Sequence, residues 1–106
     1  MKGETLRWQD LELDSIGRRL LLAGGSLKLT PTQTELLAYL LRRPRQVITR
    51  AELRGQVPHM AASASDYTLD RHMSGLRARL RECGKNIIIQ TIRGEGYMLS
   101  NPQNVI

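Results

Sequence analysis

The sequence predicts a single α+β domain in which an N-terminal antiparallel sheet is followed by three helices and a C-terminal β-hairpin. Three observations predict this class: short apolar runs punctuated by turn residues, two helix starts with capping signatures before a long amphipathic segment, and a glycine-flanked turn near the end. A chain of 106 residues has room for one hydrophobic core. We expect residues 6–99 to form the ordered core of one domain spanning 1–106, and 100–106 to form a tail.

The first 30 residues contain paired apolar positions separated by turn-forming segments. The turn segments are Asp14–Gly17 and Ala23–Ser26. The apolar positions are Leu6 and Trp8, Leu11 and Leu13, Leu20 to Leu22, and Leu27 and Leu29. Short apolar runs spaced in this way predict four strands in an antiparallel meander.

A first helix is predicted to begin at Thr30, where the local chemistry changes abruptly. Thr30 is suited to the N-cap, Pro31 to the first helical position and Gln33 to the third position of a capping box. Four leucines then follow at helical spacing and are predicted to face the core: Leu36, Leu37, Leu40 and Leu41. Pro44 ends the helix.

Two further helices are predicted after a short extended link at Val47 and Ile48. The segment Thr49–Glu52 repeats the capping-box pattern and begins a helix that continues to Val57, as in the first part of a helix-turn-helix unit. Ser65 is suited to cap a third helix from Asp66 to about Cys83. The apolar stripe of this third helix comprises Leu69, Met73, Leu76 and Leu80.

The opposite face of the third helix is polar and basic. It carries Tyr67, Arg71, Ser74, Gly75 and Ala78, flanked by Thr68, His72, Arg77, Arg79 and Arg81. Arginine and hydroxyl side chains on one helix face suit the edges of bases in a DNA major groove, whereas an ordinary solvated face is the alternative. A glycine inside a helix, such as Gly75, suggests that another group approaches the backbone there.

The C-terminal segment predicts a hairpin, because the apolar run Ile87–Ile92 is followed by a turn at Arg93–Gly96 and a second run at Tyr97–Leu99. Arg93 at the hairpin tip can enter a DNA minor groove, and a surface arginine in a turn is the alternative. Glu95 opposes this interpretation unless its carboxylate points outward or pairs with Arg93.

Charge favours a polyanionic partner, since 16 Lys and Arg against 10 Asp and Glu give a net charge of +6 and a pI of about 10.2. A small domain can also carry such a charge for solubility. Cys83 is the only cysteine, which excludes an internal disulfide and a cysteine-rich zinc site and suits the cytoplasm. No apolar run reaches the roughly 20 residues of a membrane span.

Enzymatic chemistry is not expected. His72 and Cys83 are about 16 Å apart along one helix, too far for a nucleophile and its base. His59 and His72 lack metal-ligand spacing, and Gly94–Gly96 lacks the strand-to-helix context of a phosphate loop. We therefore expect no metal, no cofactor and no catalytic residue.

The elements in this order resemble the effector domain of OmpR/PhoB response regulators, a winged helix-turn-helix domain, over Leu6 to Leu99. Four motifs at family spacing carry the resemblance: Leu29–Pro31 with Glu35–Leu37; Val47–Leu53; Thr68–Met73 continuing to Leu76–Leu80; and Thr91–Tyr97.

The resemblance implies a two-component transcription regulator that binds double-stranded DNA, with the third helix as the recognition helix. The implied DNA-facing residues of that helix are Thr68, Arg71, His72, Ser74, Gly75 and Arg77, to which we add Tyr67. The implied wing contacts are Thr91, Arg93, Gly94 and Tyr97, near the minor groove and phosphates. Arg50, at the start of the second helix, is expected to meet a phosphate.

Several positions depart from the family pattern. Tyr67 stands where an arginine is common, Gly75 where a basic residue is frequent, and Arg71 where an apolar residue is usual. Pro58 replaces a frequent tryptophan. The base preference is therefore expected to differ from that of the best-known members.

The resemblance also implies contact with RNA polymerase through the loop Pro58 to Ser65, and head-to-tail homodimers on direct-repeat DNA. Two alternatives remain open from the sequence. One is a ToxR-like regulator, in which the same fold is the cytoplasmic head of a membrane protein. The other is a protein-interaction module whose third helix meets an acidic partner.

Overall fold

The computed structural model describes residues 5–9, 11–22, 25–57, 65–82 and 88–100. In chain order the elements are β1 (Thr5–Trp8), β2 (Leu11–Asp14), β3 (Arg19–Leu22), β4 (Gly25–Lys28), α1 (Pro31–Leu41), β5 (Ile48–Thr49), α2 (Arg50–Gln56), α3 (Asp66–Glu82), β6 (Ile88–Ile92) and β7 (Gly96–Ser100). The predicted α+β class and element order are confirmed. The predicted tail of residues 100–106 is wrong at its first residue, because Ser100 ends β7 and is fully buried. Residues 101–106 lie outside the described residues.

The N-terminal sheet is the predicted meander, with strand order β1-β2-β3-β4 and antiparallel pairing throughout. Leu11 and Leu13 alternate with half-buried neighbours and are fully buried, as is Leu20 on the next strand. Leu29, predicted within the fourth strand, lies just beyond it, since β4 ends at Lys28. The Leu29 side chain still packs in the core.

Helix α1 begins with the complete capping box that the sequence predicts. The Gln33 N–H donates to Thr30 Oγ1 at 3.1 Å, and the Thr30 N–H donates to Gln33 Oε1 at 3.0 Å. All four predicted leucines are buried. These leucines pack α1 against α3, which is its main helical neighbour.

Helix α2 forms only half of its predicted capping box. Thr49 Oγ1 accepts from the Glu52 N–H at 3.1 Å, as expected. The Glu52 carboxylate, however, accepts a hydrogen bond from the Tyr39 hydroxyl of α1. The reciprocal bond of the predicted box is thus replaced by a contact that ties α2 to α1.

Helix α3 is capped by Ser65, whose Oγ accepts from the Thr68 N–H at 3.1 Å. The predicted apolar stripe is buried along its whole length: Leu69, Met73, Leu76 and Leu80. The helix is described to Glu82, and the predicted final residue, Cys83, lies outside the described residues.

The second sheet has the order β5-β7-β6 and contains the predicted hairpin, β6 and β7. Gly94 in its turn has a φ of +76°, a conformation that favours glycine. Gly96 is needed for a different reason: a Cβ at this position would lie 1.9 Å from the Ile48 carbonyl oxygen of β5. The close pairing of β5 and β7 therefore excludes any side chain at residue 96.

Candidate nucleic-acid interface

The outer face of α3 carries a row of exposed side chains one helical turn apart, Tyr67, Arg71 and Ser74. Tyr67 is 70% exposed, which is unusual for a large aromatic side chain. The Arg71 guanidinium carbon lies 5.9 Å from the centre of the Tyr67 ring, within reach of a cation–π contact. Arg71 thus points away from the core, as the predicted recognition face requires.

Thr68 and His72 lie beside this row and are half-buried. Together with Tyr67 and Arg71 they line a shallow depression of about 280 Å³. The Thr68 hydroxyl lies 3.2 Å from Ser65 Oγ, so it also takes part in the cap of α3. The depression is a polar surface lined by one cation, an imidazole and two hydroxyl groups.

Gly75 lies at the border between the outer face and α1. A Cβ there would lie 2.8 Å from Gln33 Nε2, the side-chain amide of the α1 capping box. The group expected to approach this backbone is therefore part of the same molecule. Gly75 leaves room for α1, because the Gln33 side chain takes part of the space that a side chain at residue 75 would need.

The hairpin of β6 and β7 is the wing, and its tip comprises Arg93, Gly94 and Glu95, all exposed. The turn is closed by the Glu95 N–H, which donates to the Ile92 carbonyl oxygen at 2.9 Å. Glu95 borders a depression shared with Arg50 and Arg54 of α2. Within the described parts of the chain Arg93 forms no ion pair with Glu95, so its guanidinium is available to a partner.

Tyr97 differs from the other three predicted wing contacts, which are exposed, because its side chain is 2% exposed and packs in the core. Its hydroxyl donates to Asp70 Oδ1 of α3. The same carboxylate oxygen accepts from Arg50 Nε at 3.1 Å. Tyr97 therefore anchors the wing to α3 and α2, and its side chain is buried where the resemblance implies a position near DNA.

Arg77 and Thr91 form a second connection between α3 and the wing. Arg77 Nε donates to the Ile89 carbonyl oxygen at 2.9 Å, and its terminal nitrogen donates to Thr91 Oγ1. The guanidinium carbons of Arg77 and Arg50 each lie 5.1 Å from the centre of the Tyr97 ring. The ring is thus held by two cations, and the wing has a fixed orientation relative to α3.

The electrostatics of this cluster follow from Asp70. Burial raises the pKa of Tyr97, and the hydrogen bond to Asp70 raises it further. The hydrogen bond to Asp70 also raises the pKa of Arg50, so the guanidinium stays charged. We refer to Arg50, Asp70, Arg77, Thr91 and Tyr97 as the wing-anchoring cluster.

Sequence reasoning missed Asp70 as a functional residue. Asp70 and Arg77 are seven residues apart, so they lie two turns apart on one side of α3. That spacing could have indicated a polar side facing the wing. Their partners on β6 and β7 come from distant sequence, which no local pattern reveals.

Within the described residues, no three His, Cys, Asp or Glu side chains come together in a way that could hold a metal ion. No helix there is long and apolar enough to cross a membrane.

The fold and the exposed α3 face define a winged-helix domain of the kind found in response regulators. The DNA-binding domain of the response regulator AdeR, solved in complex with an intercistronic region, matches with a TM-score of 0.78 and 30% identity. The match covers 91% of this chain and 98% of AdeR's. The DNA-binding domain of Escherichia coli CadC matches with a TM-score of 0.81 over 95% and 96% of the chains, but its 21% identity supports the fold alone.

The chain belongs to the family described as "Transcriptional regulatory protein, C terminal", whose model matches residues 24–99. This is the OmpR/PhoB-type effector family that the motifs resemble, and it is not a family of enzymes. The transcriptional regulatory protein TrcR of Mycobacterium tuberculosis is 34% identical over 94% of this chain. The phosphate regulon regulator PhoB of Escherichia coli is 32% identical over 92% of it. The chain spans only 38% and 42% of the lengths of these relatives.

Proposed function

We propose that this domain regulates transcription by binding duplex DNA in a sequence-specific manner, with α3 in the major groove and the wing tip at the minor groove. The observation that carries the proposal is the exposed row on α3, with Arg71 at its centre, beside a wing whose tip presents Arg93. Family membership and the likeness to the AdeR domain, which was solved with DNA, support it.

The exposed row suits the major groove on chemical grounds. An arginine can bind a guanine edge with two hydrogen bonds, and hydroxyl groups can bind several bases. Arg71 is the only cation among the three exposed residues of the row, so it is the residue expected to set base preference. The Tyr67 ring lies close enough to orient the Arg71 guanidinium.

The wing tip suits the minor groove. Arg93 is exposed in a tight three-residue turn, and narrow A·T-rich minor grooves concentrate the negative potential that attracts arginine. Arg77 and the Asp70–Tyr97 bond keep the wing in a fixed place beside α3. The wing tip is therefore held beside the α3 face that we propose enters the major groove.

Selection of bound sequences from random duplex DNA, followed by gel-shift titration of variants, tests the proposal. Arg71→Ala should relax base preference, because a base-edge contact is worth about 1–3 kcal/mol of discrimination. Arg93→Ala should weaken binding mainly to sites flanked by A·T base pairs. Arg81→Ala is the matched control, since Arg81 is also exposed on α3 but lies about 15 Å further along the helix axis.

Affinities left unchanged by both Arg71→Ala and Arg93→Ala would contradict this placement of the domain on DNA. If the wild-type domain retards no duplex at low salt, the proposal fails and the protein-interaction alternative gains support.

We further propose that two copies bind direct-repeat half-sites head to tail, and that the segment from Pro58 to Ser65 contacts RNA polymerase in the cytoplasm. Both expectations come from the family resemblance, and residues 58–64 lie outside the described residues. Half-site spacing in the selected sequences tests the first. Transcription from a promoter carrying the selected site, with residues 58–64 replaced by a glycine-serine segment, tests the second.

A further inference from the structure

Two ion pairs connect α2 to α3 in parallel. Arg50 Nε lies 3.1 Å from Asp70 Oδ1, and Arg54 contacts Asp66 one helical turn away on each helix. Both cations belong to α2 and both carboxylates belong to α3. Because Arg50 and Arg54 are the only basic residues of α2, this helix has its positive charge balanced from within the domain.

The pair of Arg50 and Asp70 lies nearer to the wing, since Asp70 also bonds Tyr97. Arg50 is among the residues expected to meet a phosphate, yet its guanidinium already has a carboxylate partner. The Arg50 side chain is 22% exposed and that of Asp70 is 42% exposed, so solvent reaches the pair. Ion pairs at this exposure are weak, and a phosphate oxygen can therefore compete with the carboxylate for Arg50.

We infer that Asp70 is an internal counter-ion that competes with DNA phosphate for Arg50 and so limits the sequence-independent part of DNA affinity. This inference rests on the proposed DNA-binding function. A carboxylate and a phosphate present similar oxygen acceptors to a guanidinium. While Asp70 holds Arg50, one phosphate contact is suppressed, and the domain depends more on Arg71 and Arg93 for its affinity.

The salt dependence of binding to a duplex without a selected site measures this directly. Each phosphate contact adds about 0.9 to the slope of log affinity against log salt. Asp70→Asn keeps the shape and the acceptor oxygen but removes the charge. Between 50 and 200 mM salt, this variant should lose about 3.5-fold more affinity than the wild type, the equivalent of one added contact. Asp70→Ser, a second neutral variant, is tested alongside in case the first does not fold.

Three comparisons separate this effect from a general change in charge. Asp70→Glu restores the carboxylate and should return the slope to the wild-type value. Glu82→Gln removes the same charge at the far end of α3, where Glu82 pairs with Arg79, and should leave the slope unchanged. In an Arg50→Gln background, the neutral Asp70 variants should no longer alter the slope.

The outcomes are distinct. Neutral Asp70 variants with the wild-type slope overturn the inference, as does an equal increase from Glu82→Gln or an increase that persists without Arg50. Lower thermal stability and weaker binding with an unchanged slope identify Asp70 as merely structural, which also overturns it. If the wild-type domain retards no duplex at 50 mM salt, the proposed function itself is refuted. If the domain binds DNA but the neutral Asp70 variants keep the wild-type salt slope, only the role of Asp70 is refuted.

Discussion

Replacing Gly96 with alanine should disrupt the pairing of β7 with β5. The added Cβ would lie 1.9 Å from the Ile48 carbonyl oxygen, 2.8 Å from the Ile48 carbonyl carbon and 2.9 Å from Thr49 Cα. Real Cβ atoms essentially never come within 3.0 Å of such neighbours. All three contacts are backbone atoms, which cannot rotate away as the end of a side chain can.

The cost follows from the shift that β5 must make. Moving the strand by more than 1 Å breaks the pairing of Ile48 with Tyr97 and of Thr49 with Gly96. Overpacking in a rigid place costs about 1–3 kcal/mol, and lost backbone hydrogen bonds add about 1 kcal/mol each. We expect a loss of about 3 kcal/mol or more, from a total of about 5–15 kcal/mol for a domain of ordinary stability.

Urea and thermal unfolding followed by circular dichroism measure this loss. At about 4–8 °C per kcal/mol, the melting temperature of Gly96→Ala should fall by roughly 12–24 °C. Gly94→Ala is the matched control two residues away. Nothing lies near its added Cβ, so only the positive φ of +76° opposes it, at about 1–2 kcal/mol. If Gly96→Ala unfolds within about 1 kcal/mol of the wild type, the close approach of β5 and β7 is wrong.

Three other predictions concern the caps, the core and pH. Thr30→Ala removes the acceptor for the Gln33 N–H and should lower the free energy of unfolding by about 1 kcal/mol in urea denaturation; an unchanged midpoint would contradict the α1 cap. Leu76→Ala should lower the free energy of unfolding in urea by about 2–5 kcal/mol, because the side chain is fully buried, whereas Ser74→Ala on the exposed row should change it by no more than about 0.5 kcal/mol. Equal effects of the two substitutions would show that the assignment of buried and exposed faces of α3 is wrong. The pKa of Tyr97 is raised above its ordinary value of 10.0, so the fold favours the protonated phenol: this stabilisation is complete below the unfolded pKa and is lost as pH rises through the folded pKa. Between about pH 8 and about pH 11, the free energy of unfolding should therefore decline less in Tyr97→Phe than in the wild type, although the variant is less stable at pH 8. A parallel decline in the two proteins would refute the raised pKa of Tyr97.

Local patterns predicted most of the fold because the signals that form its elements are themselves local. The capping box at Thr30 and Gln33 involves residues three apart, and the buried stripe of α3 follows from helical periodicity alone. The meander follows from alternation within short strands. Each of these features is decided by neighbours in sequence, so a single chain contains the information.

The parts that the sequence did not predict depend on distant partners. Glu52 fits a capping box by spacing, but the Tyr39 hydroxyl, 13 residues earlier, takes its carboxylate. Asp70 and Tyr97 are 27 residues apart in sequence and form a bond that only the assembled fold brings together. One signal was available: Tyr97 and Leu99 alternate on β7, and a strand with period two places both on the same buried side.

The candidate interface shows the same division. Exposure of Tyr67, Arg71 and Ser74 follows from helical periodicity, and it is as expected. Arg77 and Thr91 also lie on the predicted elements, but Arg77 donates a hydrogen bond to Thr91 within the domain. Whether a polar residue on a predicted face serves a ligand or the fold is decided by tertiary contacts that periodicity does not encode.

The Gln33 amide has a consequence for attempts to change what this domain binds. It closes the first turn of α1 and at the same time lies close to where a Cβ on Gly75 of α3 would be placed. A basic side chain at residue 75 would push this amide aside and weaken the bond in which Gln33 Oε1 accepts from the Thr30 N–H, although the Thr30 hydroxyl would still cap α1. Affinity engineering at that position is therefore coupled to stability, whereas Ser74, its exposed neighbour, can be exchanged independently.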